Sequence, residues 1–266
     1  LIGAIAYTWS FSTEPIAGIT PIELMLDQRE NADPDYFNDQ GAIQRIALPM
    51  SVSGISGVSL DYLEQAFSNS GFILDSSMGG GQMQAPDSSL EAGDAVSVKL
   101  IDGDADLSSV GTVTYVEGED VFIFGHPLYS MGNIAYPISK AYIYTTLPSL
   151  ELSSKMGATS ETIGTTVFDG RNAVYCQTGR EASMVPIEVT VASWENSKNF
   201  NYEVVSDKVY FSYLGSVVIA AAMDSVYGEW DDKSLEVDFR IDCDYEGEEY
   251  VISNHFSYVY SPSYYS

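Results

Sequence analysis

Gly111-Thr112-Val113-Thr114-Tyr115, a turn, then Val121-Phe122-Ile123-Phe124-Gly125-His126-Pro127 is the stretch whose reading decides the fold. Its β-branched and aromatic residues, broken by a glycine and acidic turn, form a β-hairpin pattern. A second copy lies at Gly164-Thr165-Thr166-Val167-Phe168, a turn at Asp169-Gly170, then Ala173-Val174-Tyr175-Cys176, with Gly164 standing 53 residues after Gly111. Two related hairpins predict a pair of related β layers. Around them, Val96 to Ile101 and Ala141 to Leu147 read as further short strands, so residues 90–195 form a β-rich core.

Ahead of this core, Leu1 to Tyr7 reads as a buried strand. Thr20-Pro21-Ile22-Glu23 reads as a helix start, with Thr20 as N-cap and the helix running to about Gln28. Ile43 to Val52 predicts another strand. Ser59 is placed to cap a helix carrying Leu60, Leu63 and Phe67 at helical spacing, with Gly71 as its stop. Residues 1–75 are thus a strand-helix segment completing the core. Residues 76–89, with Gly79-Gly80-Gly81 and Pro86, read as a glycine-rich loop. In residues 196–266 an apolar helix from about Tyr213 to Val226 precedes two alternating strands, Leu235 to Ile241 and Tyr250 to Tyr260, and a tyrosine-rich end. The expected fold class is mainly β with a few short helices.

The 266 residues are 45% hydrophobic and carry 11 lysines and arginines against 38 aspartates and glutamates, a net charge of −27. Phosphate backbones and anionic lipid surfaces repel such a chain, so nucleic acid is not an expected partner. The most apolar window, Tyr213 to Met223, is too short for a helical membrane span. Acidity of this degree suits an extracellular or periplasmic setting. The two cysteines, Cys176 and Cys243, are too few for a thiolate zinc cluster, and they read either as one bridge or as two free thiols. Asp102-Gly103-Asp104-Ala105-Asp106 offers the alternate oxygens that open a calcium loop, yet it lacks the glycine and glutamate that complete one. No cofactor is expected, and calcium is the one ion the sequence hints at. Gly79-Gly80-Gly81 is no phosphate loop, since no lysine comes after it.

Only His126 and His255 supply imidazole. His255 alternates with Ile252, Asn254 and Phe256 and belongs on the other, surface face of its strand. His126 leaves an apolar strand between Gly125, which permits close backbone approach, and Pro127, which biases the histidine to an extended conformation. Functional groups favour such strand-end turns.

Leu90-Glu91-Ala92-Gly93-Asp94, Val110 to Tyr115 and Phe124-Gly125-His126-Pro127 together resemble the histidine-bearing core of the SpoIVB-type (sporulation stage IV B) serine peptidases. They are similar above all to the secreted relatives in bacteria that do not sporulate. Leu1 to Tyr7 with Glu14 to Glu23 resembles the segment just after the nucleophile motif Met-Ser-Gly-Ser-Pro in such proteins. The likeness covers about the first 190 residues. It implies a trypsin-like β-barrel core, a serine nucleophile and His126 as general base, supported by the Gly125 and Pro127 turn. Only His126 has a match in this chain. The serine is expected on sequence ahead of Leu1, with that upstream fragment of the precursor as partner and the chain inactive alone. Met50-Ser51-Val52-Ser53-Gly54 mimics the nucleophile motif without its Gly-Ser-Pro ending, and Ser53, Ser56 and Ser59 read as turn and cap residues. The alternative expectation is a non-catalytic extracellular protein that self-assembles on a retired peptidase fold, using the tyrosine-rich end or an edge strand near Tyr250 to Tyr260 to form a homo-oligomer.

Overall fold

The two glycine-led hairpins lie side by side in one sheet. In chain order the elements of the computed structural model are β1 (Gly3–Trp9), β2 (Ala17–Pro21), α1 (Ile22–Asp27), β3 (Ile43–Arg45), β4 (Leu48–Ser53), α2 (Val58–Phe67), β5 (Phe72–Asp75), β6 (Ala95–Gly103), β7 (Asp106–Glu117) and β8 (Asp120–Ile123). They continue as β9 (Gly132–Asn133), β10 (Pro137–Leu147), β11 (Ser154–Asp169), β12 (Val174–Thr178), β13 (Met184–Ala192), β14 (Ser197–Val205), α3 (Phe211–Tyr227), β15 (Ser234–Cys243) and β16 (Glu248–Ser257). The structure describes residues 1–9, 14, 16–29, 43–68, 72–75, 89–147, 154–192, 197–227, 234–243 and 248–257. The glycine-rich loop expected at 76–89 lies outside them but for residue 89. Gly71 and the tyrosine-rich end lie wholly outside.

The mainly β fold class read from the sequence is the one found. Antiparallel ladders run β6–β7, β7–β8, β8–β12, β12–β11, β11–β10 and β10–β6, closing a ring of these strands. A closed ring leaves its own strands no open edge and is consistent with the trypsin-like core the resemblance implies. β4 and β5 extend the sheet beyond β7, and the β13–β14 hairpin extends it beyond β6.

The internal echo is structural and holds residue by residue. Val113 faces Ile123 and Tyr115 faces Phe122 in the first hairpin, with a bulge between. Their counterparts Thr166 and Cys176, then Phe168 and Tyr175, pair the same way in the second, around the same bulge. The two copies meet along β8 and β12, where Val121 pairs with Cys176, Phe122 with Tyr175 and Ile123 with Val174. Exchanging each residue for its counterpart in the other copy returns the same set of pairs, so a local two-fold axis passes between Phe122 and Tyr175. Their rings stack with centroids 5.2 Å apart. At the opposite seam Ser97 pairs with Ser139 between β6 and β10, flanked symmetrically by Val98–Ile138 and Val96–Lys140.

Directly opposed residues share a sheet face, so these pairs sort inside from outside. Met25 of α1 packs on Phe122, Phe168, Ala173 and Tyr175, which therefore form the outer face. Val113, Val121, Ile123, Val174, Thr166 and Cys176 point into the ring, and all of them are buried. Burying apolar side chains at about 25 cal/mol per Å² is the main stabilising term here.

Two helix starts differ from expectation. α1 begins at Ile22 with Pro21 at the cap position and no side-chain cap, because the Thr20 hydroxyl is engaged with the carbonyl of Gly125 instead. α2 begins at Val58 after Gly57, whose φ of +61° is a left-handed conformation that favours glycine. Ser59 is inside its first turn and donates its own N–H to Asp224 of α3, which supplies the capping carboxylate from outside. β14 also lies in a stretch without a strand reading; it pairs with β6 through Tyr202, Glu203 and Val204.

Residues Leu1–Val226 form one compact unit and Tyr227–Ser266 a second. The division falls inside the stretch 196–266, so nearly all of α3 belongs to the first unit. The second unit contains the β15–β16 hairpin. Among the described residues no helix is long and apolar enough to cross a membrane.

Candidate functional site

β8 ends at Ile123, and the next residue turns the chain sharply. Phe124 has φ +57°, a left-handed conformation uncommon for a residue with a side chain. Its ring lies over Gly111, where an added Cβ would sit only 2.3 Å from the ring. Glycine at 111 is thus what lets Phe124 fold back, and the ring then packs 5.5 Å from that of His126. Gly164 plays the matching part in the second copy, covered by the carbonyl of Gln177, the counterpart of Phe124.

Gly125 is pinned from the other side by the N-terminal sheet of β2, β1 and β3. A Cβ at 125 would stand 2.6 Å from the carbonyl oxygen of Ala4 in β1, and the Thr20 hydroxyl donates to the Gly125 carbonyl at 2.5 Å. The N-terminal sheet thus meets the histidine turn itself, through Ala4 and Thr20.

His126 is buried, and its Nδ1 lies 2.8 Å from the carbonyl oxygen of Pro127. A carbonyl only accepts, so Nδ1 carries the proton in the neutral ring and the lone pair is on Nε2. The loop after His126 is held by Asp169. Its carboxylate accepts N–H bonds from Leu128 at 2.6 Å, Tyr129 at 2.6 Å and Met131 at 3.2 Å. Burial pushes the Asp169 carboxyl up to about 6, against those backbone N–H groups, which pull it down. Asp169 is the counterpart of Val116 in the first hairpin, so an acid replaces an apolar residue in one copy only. By sequence alone Asp169 reads as a turn residue; the mismatch between the copies is the signal that singles it out.

Beyond the loop, Tyr129 sits in an aromatic cluster. Its ring lies 4.6 Å from Phe72, 5.0 Å from Tyr210 and 6.4 Å from Phe67. Phe67 and Phe72, with Glu64, Ser68 and Leu74, line a depression of about 180 Å³. The aromatic rings therefore run from this depression to the loop just past His126.

The other sequence candidates are placed elsewhere. Cys176 is a free thiol buried inside the ring. Burial, with Asp169 nearby, holds that thiol well above its ordinary range, which makes it a packing residue rather than a nucleophile. The side chain of Cys243 lies outside the described residues. The carboxylates of the Asp102–Asp106 stretch diverge. Asp102 pairs with the fully buried Lys99 at 2.8 Å, Asp104 accepts from the Asn201 N–H, and Asp106 accepts from the Ser108 hydroxyl. Among the described residues no group of three or more histidine, cysteine or acidic side chains gathers to hold a metal ion. Ser51 is buried within β4, and Ser59 bonds the Ser56 carbonyl, as turn chemistry requires. His255 is exposed on β16, opposite Glu236.

The arrangement therefore offers one imidazole with a fixed tautomer, on a turn clamped between β1, β2 and the Asp169-bound loop. Comparison with known proteins gave no match to a family model, to a curated protein or to a solved structure.

Proposed function

We propose that this chain is the histidine-bearing part of a secreted or periplasmic peptidase of the SpoIVB type, with His126 as general base for a serine on sequence joined ahead of Leu1. The observation that carries the reading is the contact between Ala4 and Gly125, because it brings the beginning of β1 to the histidine turn. At about 3.3 Å per extended residue, a nucleophile a few positions ahead of Leu1 is within reach of that turn.

In that reaction the serine hydroxyl attacks the peptide carbonyl carbon while Nε2 of His126 takes its proton. The proton then passes to the leaving amine as the C–N bond breaks. Water releases the acyl group by the same route in reverse order. The Pro127 carbonyl does for Nδ1–H what a carboxylate does in a Ser-His-Asp triad, holding the tautomer and facing the imidazolium as it forms. A carbonyl dipole stabilises that cation less than a full negative charge would. The chain by itself carries no complete nucleophile–base pair on this reading and is inactive alone.

The test is a fluorophosphonate serine probe applied to the precursor that includes the natural sequence ahead of Leu1, with the labelled peptide located by mass spectrometry. Label on an upstream serine that disappears in His126→Ala and persists in His255→Ala supports the reading. Absence of label, or equal label in His126→Ala, overturns it and leaves a non-catalytic assembly protein on the same fold.

A further inference from the structure

We propose that the β15–β16 hairpin is a homodimerisation element, packing its apolar face against the same face of a second copy. The register of this hairpin supports this independently of any catalysis.

The cross-strand pairs are Leu235–Phe256, Val237–Asn254, Phe239–Ile252 and Ile241–Tyr250 on one face. On the other they are Glu236–His255, Asp238–Ser253, Arg240–Val251 and Asp242–Glu249. The first face holds seven apolar side chains and one asparagine, with no charge. The second satisfies itself. Arg240 pairs with Glu249 at 2.6 Å, and the Ser253 hydroxyl donates to Asp238 at 2.5 Å. The polar face is thus built for water, whereas on the apolar face Phe239, Ile241, Tyr250, Ile252 and Phe256 stay 38% to 55% exposed. A two-stranded hairpin is at best marginally stable in water unless such a face is covered.

A second copy fits by charge and by area. The chain carries −27, so two copies repel wherever charged surfaces meet. Here they meet across an uncharged face. Sheets stacked about 10 Å apart keep Glu236, Asp238, Asp242 and Glu249 of each copy on opposite outer sides of the sandwich, beyond a Debye length of about 8 Å. The exposed part of the five side chains amounts to about 500 Å² per copy, or about 1,000 Å² for the pair, which is the lower bound for a specific interface. A two-fold operation brings this same face of each ten-residue pair of strands together.

Sedimentation equilibrium of the full chain across the micromolar range, at low and at molar sodium chloride, tests the proposal. The expected species is twice the 29.0 kDa chain, with association tighter at high salt because screening removes the repulsion. Ile252→Lys and Phe239→Lys each weaken the dimer by about a hundredfold or more, the cost of desolvating a charge in an apolar interface. Val251→Lys, on the polar face, leaves it within about twofold. A wild-type chain that stays monomeric at every concentration and salt overturns the proposal. So does equal weakening by Val251→Lys, which would mean that hairpin stability rather than the face is being read. In a monomer, slow hydrogen exchange confined to the hairpin would identify the chain's own first unit, or another protein, as the cover of the face.

Discussion

Replacing Asp169 by asparagine tests how the loop that carries His126 is held. Asp169 is 1% exposed, and its carboxyl is pushed from an ordinary 3.8 to about 6 by burial. Because the folded value is the higher, the folded state holds the proton over a range where the unfolded chain has lost it. The stabilising contribution is therefore complete below about 3.8 and is lost as the pH rises through about 6. The whole rise is worth about 3 kcal/mol, and the part falling between about pH 4.5 and 7.5 is about 2 kcal/mol. An asparagine side chain cannot ionise, so the stability difference between wild type and Asp169→Asn is larger at the acid end by about 2 kcal/mol. Urea unfolding of both proteins at the two pH values, at constant ionic strength, measures this, and the raised pKa of Asp106 is common to both proteins and cancels. An equal loss at both pH values would show that burial does not govern this carboxyl. A larger loss at neutral pH would show that the N–H bonds of Leu128, Tyr129 and Met131 outweigh burial and that the carboxylate is the favoured form.

The packing sets three further outcomes. Gly125→Ala forces a Cβ to within 2.6 Å of the Ala4 carbonyl and separates the N-terminal sheet from the histidine turn, with a loss of about 2 kcal/mol or more in urea unfolding. Ser97→Ala and Ser139→Ala are neutral or stabilising by about 1 kcal/mol, since neither buried hydroxyl finds a partner among the described residues; a loss above that, read by thermal unfolding, would point to an ordered water between them. The Cys176 thiol resists alkylation at mildly alkaline pH in the folded protein and reacts on denaturation, as mass mapping of the modified peptide would show; reaction in the folded state would contradict its place inside the ring.

The parts of the fold legible in the sequence are those in which local pattern and tertiary environment agree. The alternation at Val113 to Ile123 and its echo at Thr166 to Cys176 are hairpins because each strand has one face inside the ring and one beneath α1. The apolar spacing of Leu63 and Phe67 is a helix for the same reason, since both side chains are buried on one face. The cap readings at Thr20 and Ser59 fail where a distant group wins a local competition. Gly125 takes the Thr20 hydroxyl, and Asp224, far along the chain, supplies the cap for α2. β14 alternates poorly because Ser197 to Asn199 are exposed, and only its later half, from Phe200, is bound into the core. At the candidate site, His126 and its flanking Gly125 and Pro127 are readable, since turn chemistry is local. Asp169 is marked in the sequence only by its mismatch with Val116; its role is not, because its partners lie about forty residues away and its burial is a property of the closed ring.

The two-fold relation of the hairpins stops at the histidine turn. β8 ends at Ile123 and the chain turns into Gly125-His126-Pro127, whereas β12 runs on to Thr178 before Gly179-Arg180. The second half contributes the anchoring carboxylate, Asp169, to the loop of the first, and keeps no histidine of its own. Transplanting Gly-His-Pro into residues 178–180 would therefore create a histidine corner without an anchor, since the residue in the first half that corresponds to Asp169 is Val116.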